Sequence, residues 1–327
     1  MNRLAGNPGA GMIQVLAVDD GNPACWMANK EGRLYSWKEY WAGVAKSYGW
    51  ADADGFSAVL HPDAPAWFNA TIDQLQEERW HWGLQRCRLA ENSQVLDVGC
   101  GTGRWLRRYL RENVRPVGLD ATQDMIRRAA DKGSLCPLLV SRAQSLPFPE
   151  GTFDLVSAVT VIQHIPPADQ REAIREMARV LRPGGHLLLL DLIRGEGPHI
   201  FPKRPRGWIE EAGSTGLSLV SWTGQEYLFF DRAFVNIVQT LRKLTGNWSG
   251  AILPARASNS AEAAQPQSGG RALYWALRKI TCKLSAWSEP LARKGCPGEW
   301  ATHGVFVFQK SREANEKFPS SLAEPLP

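Results

Sequence analysis

The strongest chemical signal in the chain is an alternation, Asp97-Val98-Gly99-Cys100-Gly101-Thr102-Gly103, set between an apolar run and a helical pattern. Glycine reaches φ > 0 and has no Cβ, so such a backbone turns sharply and lets a ligand come close. Val95 to Val98 read as a short buried strand, and a helix follows at once with Leu106 and Leu110 on one side. Strand, glycine turn and helix N-terminus together set free N–H groups and a positive dipole end at a strand's carboxyl edge. Ligands of open α/β sheets sit there. A dinucleotide site asks for G-x-G-x-x-G, the third glycine letting the helix pack on the strand. Here the third glycine, Gly103, comes one residue early and Arg104 follows, which disfavours a nicotinamide dehydrogenase.

Two further residues fit the same chemistry. Pro116 to Leu119 reads as a second strand ending in Asp120. A carboxylate at that tip accepts hydrogen bonds from ribose hydroxyls. A carboxylate just ahead of a helix starting near Thr122 also favours that helix's dipole, and the two roles are compatible. His164 follows a fourth strand, Phe153 to Val159. An imidazole with an ordinary pKa near ~6.5 suits proton removal at neutral pH. The competing reading is a structural histidine whose Nδ1–H holds a backbone carbonyl.

The elements that must position these residues are legible in outline. Ser36-Trp37-Lys38-Glu39 is a capping box, and Trp37, Tyr40, Trp41, Val44 and Tyr48 then fall on one helical face. Such a stripe is ordinarily core. A second helix is expected from about Asn69 to Leu89, and a third strand over Pro137 to Val140. After the fourth strand comes a helix carrying Ile174, Met177, Val180 and Leu181, stopped by Leu181-Arg182-Pro183-Gly184-Gly185. His186 to Asp191 is a nearly all-apolar fifth strand, as a parallel strand covered on both faces should be. A short helix over Trp208 to Gly213 precedes a sixth strand at Leu217 to Trp222, and the last strand is Gly304 to Phe308.

Four of these features, taken in order, resemble the class I S-adenosylmethionine-dependent methyltransferase family: the D-x-G-x-G-x-G motif, the acidic strand tip, the F-D-L-V strand and the L-R-P-G-G strand. They span roughly residues 93–192. The resemblance implies a doubly wound, seven-stranded Rossmann-like α/β sheet with N-terminal cap helices, an antiparallel last strand and a helical insertion before it. It also implies S-adenosylmethionine as cofactor, held by Asp97, Gly99, Gly101, Gly103 and Asp120. Met125, Ala143, Gln144 and Thr160 would line the same pocket, with Tyr48 of the cap helix over it. Arg142-Ala143-Gln144-Ser145-Leu146-Pro147-Phe148 resembles the family's D-A-x-x-L-P-F segment, with Arg142 where the family has an acid. A cation cannot accept the adenine amino proton, so Ala143 or Gln144 would serve. The tip from Thr160 to His164 would face the transferring methyl, making His164 the candidate general base or acceptor-orienting group.

The domain organisation follows. Residues 1–33 and 311–327 are expected to be disordered tails around a methyltransferase domain at 34–310, with a cofactor-binding core at 93–192 and a helical insertion at 225–300. Within the insertion, Asp231 is expected to cap one helix, residues 249–270 to form a linker, and Leu273, Leu277, Ile280, Leu284, Trp287 and Leu291 to stripe a second helix. Those helices either pack on the core, cover an apolar acceptor as a lid, or touch a membrane surface.

The composition of the 327 residues, 44% hydrophobic and 22% charged with a net charge of +5, is that of an ordinary globular protein without a concentrated basic stripe for nucleic acid. Six scattered cysteines without a C-x-x-C pair argue against a metal site or a disulfide framework and suit a cytoplasmic protein. No apolar run reaches the ~20 residues of a membrane span, and no secretory signal is visible. The reading is methyl transfer to an O or N nucleophile of a small organic acceptor. The alternatives are a nucleic-acid or protein methyltransferase, and a cofactor-binding protein without activity. The Asn/Asp-Pro-Pro-aromatic motif typical of nucleic-acid amino-methylating relatives is replaced at the strand tip by Thr160 to His164.

Overall fold

The computed structural model describes residues 15–17, 26–28, 34–48, 59–61, 64–195, 199–245 and 269–312. Ten strands and eight α-helices fall among them. Strands β1 (Val15–Ala17), β2 (Trp26–Ala28) and β3 (Leu34–Ser36) precede helices α1 (Trp37–Tyr48) and α2 (Ala66–Cys87). Then come β4 (Gln94–Val98), α3 (Arg104–Tyr109), β5 (Arg115–Asp120), α4 (Gln123–Asp131), β6 (Leu138–Val140) and β7 (Phe153–Val159). The second half holds α5 (Pro167–Val180), β8 (Leu181–Leu192), α6 (Pro205–Gly213), β9 (Leu217–Gln225), α7 (Phe229–Thr245), α8 (Gly269–Gly295) and β10 (His303–Lys310).

The main sheet has the order β1-β6-β5-β4-β7-β8-β10-β9. Its strands are parallel except β10, which runs antiparallel to both β8 and β9. Chain progress reverses direction beside β4, with β5 on one side and β7 on the other. That reversal opens a crevice beyond the strands' carboxyl ends. The sheet is covered on both faces, so its central strands are mostly apolar, with Asp97, Ser157 and Asp191 as buried exceptions. Leu96, Val156, Leu187 and Leu189 face α5 and α6 through Ile174, Met177 and Trp208. Val95, Leu155, Leu188 and Leu190 face α2 and α3 through Trp80, Trp105 and Tyr109. This alternation is the two-residue period of a strand buried on both sides.

Three differences from the sequence reading have physical reasons. The sheet has an eighth strand, because Val15–Ala17 pairs in parallel with Leu138–Val140; without it β6 would present an unpaired edge. Within the segment expected to be a tail, Trp26–Ala28 also pairs with Leu34–Ser36. Asp231 does not cap α7. It lies inside the first turn, 3% exposed, and its carboxylate accepts from Arg278 of α8. The apolar stripe of α8 does not pack on the core either. The helix seats its other face, with Tyr274, Cys282, Ser285, Glu289 and Ala292 buried, and leaves the six stripe residues exposed. Small residues on the seated face let α8 approach closely, and Glu289 accepts the backbone N–H of Glu226 and Tyr227. The expected linker at 249–270 and the tail at 311–327 lie mostly outside the described residues.

Candidate active site

A cavity of about 380 Å³ opens beyond the carboxyl ends of β4, β5 and β7. The glycine turn forms its floor. Gly99, Gly101 and Gly103 have φ of 69°, 54° and 77°, the left-handed region that side-chain-bearing residues avoid. A Cβ on Gly101 would stand 2.8 Å from Val59, and one on Gly99 would overlap Val161. Both flanking side chains also line the cavity, so these glycines set the width of its floor.

Asp120 fixes the turn. Its Oδ2 accepts the Gly101 N–H at 3.0 Å, and its Oδ1 accepts the N–H and hydroxyl of Thr122 at 2.9 and 2.8 Å. Burial pushes its pKa up against these bonds, which favour the charged form. The carboxylate reaches the cavity wall; these three bonds fill both lone pairs of Oδ1 and one of Oδ2, which leaves a single acceptor position on Oδ2. Ser141, Arg142, Ala143 and Gln144 form a second wall beyond β6, and Met125 closes the side under α1.

Asp97 sits below this floor, 1% exposed. Its Oδ1 accepts the Ser157 hydroxyl at 2.8 Å, whereas its Oδ2 has no hydrogen-bond partner. Burial pushes its pKa up to about 7. A buried carboxylate oxygen without a partner is costly, and a cationic donor reaching it past the glycine floor would offset that cost.

The far wall carries the strand tip. Thr160 has φ 56°, an outlier for a β-branched residue. Its conformation is held from several sides. Thr160 N–H donates to Leu190 at 2.7 Å. Asp191, buried in β8, accepts the N–H of Ile162 at 2.9 Å and of Gln163 at 3.2 Å. The Gln163 side chain accepts from Leu192 N–H at 2.9 Å. The Gln170 amide of α5 donates to the carbonyls of Ile162, Ile165 and Phe201. His164 ends the resulting single 3₁₀ turn, Ile162–His164.

His164 lines the cavity, in surroundings that take its pKa away from the ordinary value expected for it. Burial, with His199 beside it, pushes its pKa down to about 3. Nδ1 lies 3.2 Å from the His199 carbonyl and Nε2 3.2 Å from the Gln163 amide nitrogen. The tautomer that satisfies both has Nδ1–H donating to the carbonyl and Nε2 accepting from the amide. The ring also stacks 5.3 Å from His199 and lies edge-on 5.0 Å from Trp41. This imidazole is neutral and occupied, which suits holding a wall in place.

Of the residues singled out from sequence, Gly99, Gly101, Asp120, Met125, Ala143, Gln144, Thr160 and His164 line one cavity. Gly103 and Asp97 stand behind it. Tyr48 is the last residue of α1, and its side chain lies outside the described residues. Trp41, two turns earlier on the same stripe, lines the cavity. The sequence reading also missed Val59, Arg104 and Trp105 as lining residues. Arg104 had a positional signal, since it opens the helix after the glycine turn. It is 4% exposed and bonds Asp73 at 3.1 Å, and Asp73 also takes Arg108 at 2.7 Å. That ion cluster clamps α2 onto α3 at the edge of the cavity. Among the described residues, no group of three or more His, Cys, Asp or Glu is arranged to hold a metal ion.

Residues 95–185 match the family model described as "Methyltransferase domain". Over 134 residues the chain is 34% identical to demethylmenaquinone methyltransferase of Lactiplantibacillus plantarum, covering 37% of this chain and 56% of that one. It is 35% identical over 119 residues to the ubiquinone/menaquinone biosynthesis C-methyltransferase of Laribacter hongkongensis, covering 34% and 48%. It is 38% identical over 98 residues to the Mus musculus protein named "Probable tRNA methyltransferase 9B", covering 30% and 21%. The chain thus spans about half the length of the bacterial relatives. Phosphoethanolamine N-methyltransferase 2 of Haemonchus contortus superposes with a TM-score of 0.45 at 18% identity, covering 72% of this chain and 52% of that one.

Proposed function

We propose that residues 95–185, which match a methyltransferase domain, form a class I S-adenosylmethionine-dependent methyltransferase core, and that the chain transfers a methyl group from S-adenosylmethionine to a small organic acceptor. The observation that carries this is convergence. A glycine floor, the Asp120 carboxylate and the Ala143–Gln144 wall face one cavity whose far side sets the apolar Trp41, Val161, Ile165 and Pro166 beside Thr160, His164 and Asp169.

The cofactor, when bound, supplies an electrophilic sulfonium methyl. The protein's part is binding and alignment. Asp120 accepts from a ribose hydroxyl, Ala143 and Gln144 meet the adenine, and the free oxygen of Asp97 takes the ammonium of the methionine part. Gly99 and Gly101 let the ligand approach the backbone. Thr160 and His164, locked by Asp191 and Gln170, hold the acceptor side rigid. Alignment of this kind converts a bimolecular displacement into an effectively unimolecular one. A neutral His164 with a pKa of about 3 takes up little proton at neutral pH. This favours an acceptor whose nucleophile carries a free lone pair or ionises unaided.

A carbon acceptor on a quinone-type ring is the second reading, favoured by the names of the bacterial relatives and by the apolar side chains on the far side of the cavity. Incubation with methyl-labelled S-adenosylmethionine and a metabolite extract, followed by mass spectrometry, tests both readings. A labelled small molecule is expected, and the position of the label separates O, N and C acceptors. Label confined to RNA or protein would overturn the small-molecule reading. Cofactor binding with no labelled product would favour a binding protein.

A further inference from the structure

The face of α8 that points away from the domain carries Leu273, Leu277, Ile280, Leu284, Trp287 and Leu291, each between 43% and 74% exposed. They recur by alternating fours and threes, so they form one row along the helix. The row is ~27 Å long at ~1.5 Å per residue. Single exposed leucines are ordinary, but a row of six is a contiguous patch of the kind that marks an interaction surface. The neighbouring α7 adds exposed Phe230, Ile237 and Leu241.

Charge selects the occupant. The exposed charged side chains described on α8 are all cationic: Lys279, Lys283 and Lys294. The acids of the two helices point inward. Glu289 is 1% exposed and Asp231 is 3% exposed, each bonded within the protein. A second copy of this face would set lysines against lysines across the seam, where coiled-coil flanks need opposite charges. The chain's own connecting residues 246–268 bring only Trp248, Ile252 and Leu253 as large apolar side chains. An apolar row with a tryptophan and flanking lysines matches the headgroup–acyl boundary of an anionic bilayer.

We propose that the exposed face of α8 docks the domain on an anionic membrane surface, with the leucines and Trp287 entering the interface and the lysines meeting the headgroups. The helix stays packed on the domain while it does so. The Asp231–Arg278 pair and the Glu289 bonds lie on the opposite side and need not break. The surface lies outside the cavity-lining residues, so it is independent of the methyl-transfer reading.

The test is co-sedimentation of the full chain with phosphatidylglycerol–phosphatidylcholine vesicles and with phosphatidylcholine vesicles. Binding to the first, weakened by salt, is expected, with little binding to the second. The triple variant Lys279→Gln, Lys283→Gln, Lys294→Gln should partition roughly a hundredfold less onto anionic vesicles. The variant Leu277→Ser, Leu284→Ser, Trp287→Ser should lose binding while its affinity for S-adenosylmethionine stays unchanged, which also reports folding. Wild-type protein that stays in the supernatant with anionic vesicles would overturn the proposal. So would a dimer in light scattering that the Leu277, Leu284 and Trp287 substitutions dissociate, since that assigns the face to a second copy.

Discussion

Asp120 and Gly101 are joined by a 3.0 Å hydrogen bond from the glycine N–H to the carboxylate, across the gap between the tips of β5 and β4. The same carboxylate also holds Thr122 at the start of α4. One side chain therefore shapes the glycine turn, anchors the next helix and reaches the cavity.

Asp120→Ala removes all of these at once. Charge-assisted hydrogen bonds contribute about 1.5–3 kcal/mol each, so cofactor affinity should fall roughly ten- to a hundredfold, together with a lower unfolding midpoint. Calorimetry and thermal unfolding read the two effects separately. Unchanged affinity in a folded variant would leave Asp120 a purely structural residue.

The Asp120–Gly101 link shows why so much of the site was legible in the sequence. Positions fixed by backbone geometry announce themselves: glycines that need φ > 0, an acid at a strand tip, apolar runs of strand length. Gly99, Gly101 and Asp120 were found that way, as were most strands from β4 to β10 in outline, whereas Ala143 and Gln144 came from the likeness of their segment to the family's. What depends on packing between distant segments was not legible. His164 has an ordinary local sequence, and its depressed pKa comes from burial against Trp41 and His199. The periodicity of α8 correctly gave a helix with an apolar face. It could not say which face the core would take, because Cys282, Ser285 and Glu289 make no hydrophobic pattern. The pairing of Val15–Ala17 was hidden because a three-residue strand has too short a period to read.

Asp97 should make cofactor binding pH-dependent. Burial holds its pKa at about 7, so near neutrality its population is divided between the acid and the carboxylate. A cation at its free oxygen favours the carboxylate, so binding should release a proton and affinity should fall as pH drops below about 7. The limiting slope is about tenfold per pH unit, set by one linked proton. Calorimetry in two buffers of different ionisation enthalpy measures the release. Asp97→Asn should bind with none, and equal proton release in that variant would place the titrating group elsewhere.

His164 should leave no limb near pH 6.5 in the rate profile. Its folded pKa, about 3, lies below the unfolded value near ~6.5. Between those values the unfolded chain binds the extra proton, so this residue's contribution to stability is full above pH ~6.5 and is lost as pH falls toward ~3. The limiting slope is about 1.4 kcal/mol per pH unit for one proton. His164→Asn should flatten that acid dependence in denaturant titrations. Once an acceptor is known, it should keep kcat within about tenfold, far from the 10²–10⁴ loss expected on removing a general base. A loss of that larger size, with the neutral-pH limb abolished, would restore the base role.

The insertion depends on one buried ion pair. Arg278 Nε and Nη2 meet the two Asp231 oxygens at 3.0 and 3.1 Å, and the guanidinium lies 4.5 Å from the Phe68 ring and 5.2 Å from the Trp275 ring. The pair joins α7 to α8, and the stacking joins α8 to α2. Removing one partner of a buried pair leaves the other charge without compensation, which costs about 3–5 kcal/mol. Asp231→Ala should therefore loosen α7 and α8 first, because the sheet's hydrogen bonds do not pass through them. Hydrogen exchange should show faster amides in α7 and α8 while β4, β7 and β8 keep their protection. Arg278→Met leaves the Asp231 carboxylate unpaired, and that group is more buried than the Arg278 guanidinium, at 4% against 20% exposed, so it should cost at least as much as Asp231→Ala. If instead the whole sheet loses protection in step with α7 and α8, the insertion is part of one cooperative unit, and its apolar outer face is carried by the same folding transition as the cofactor cavity.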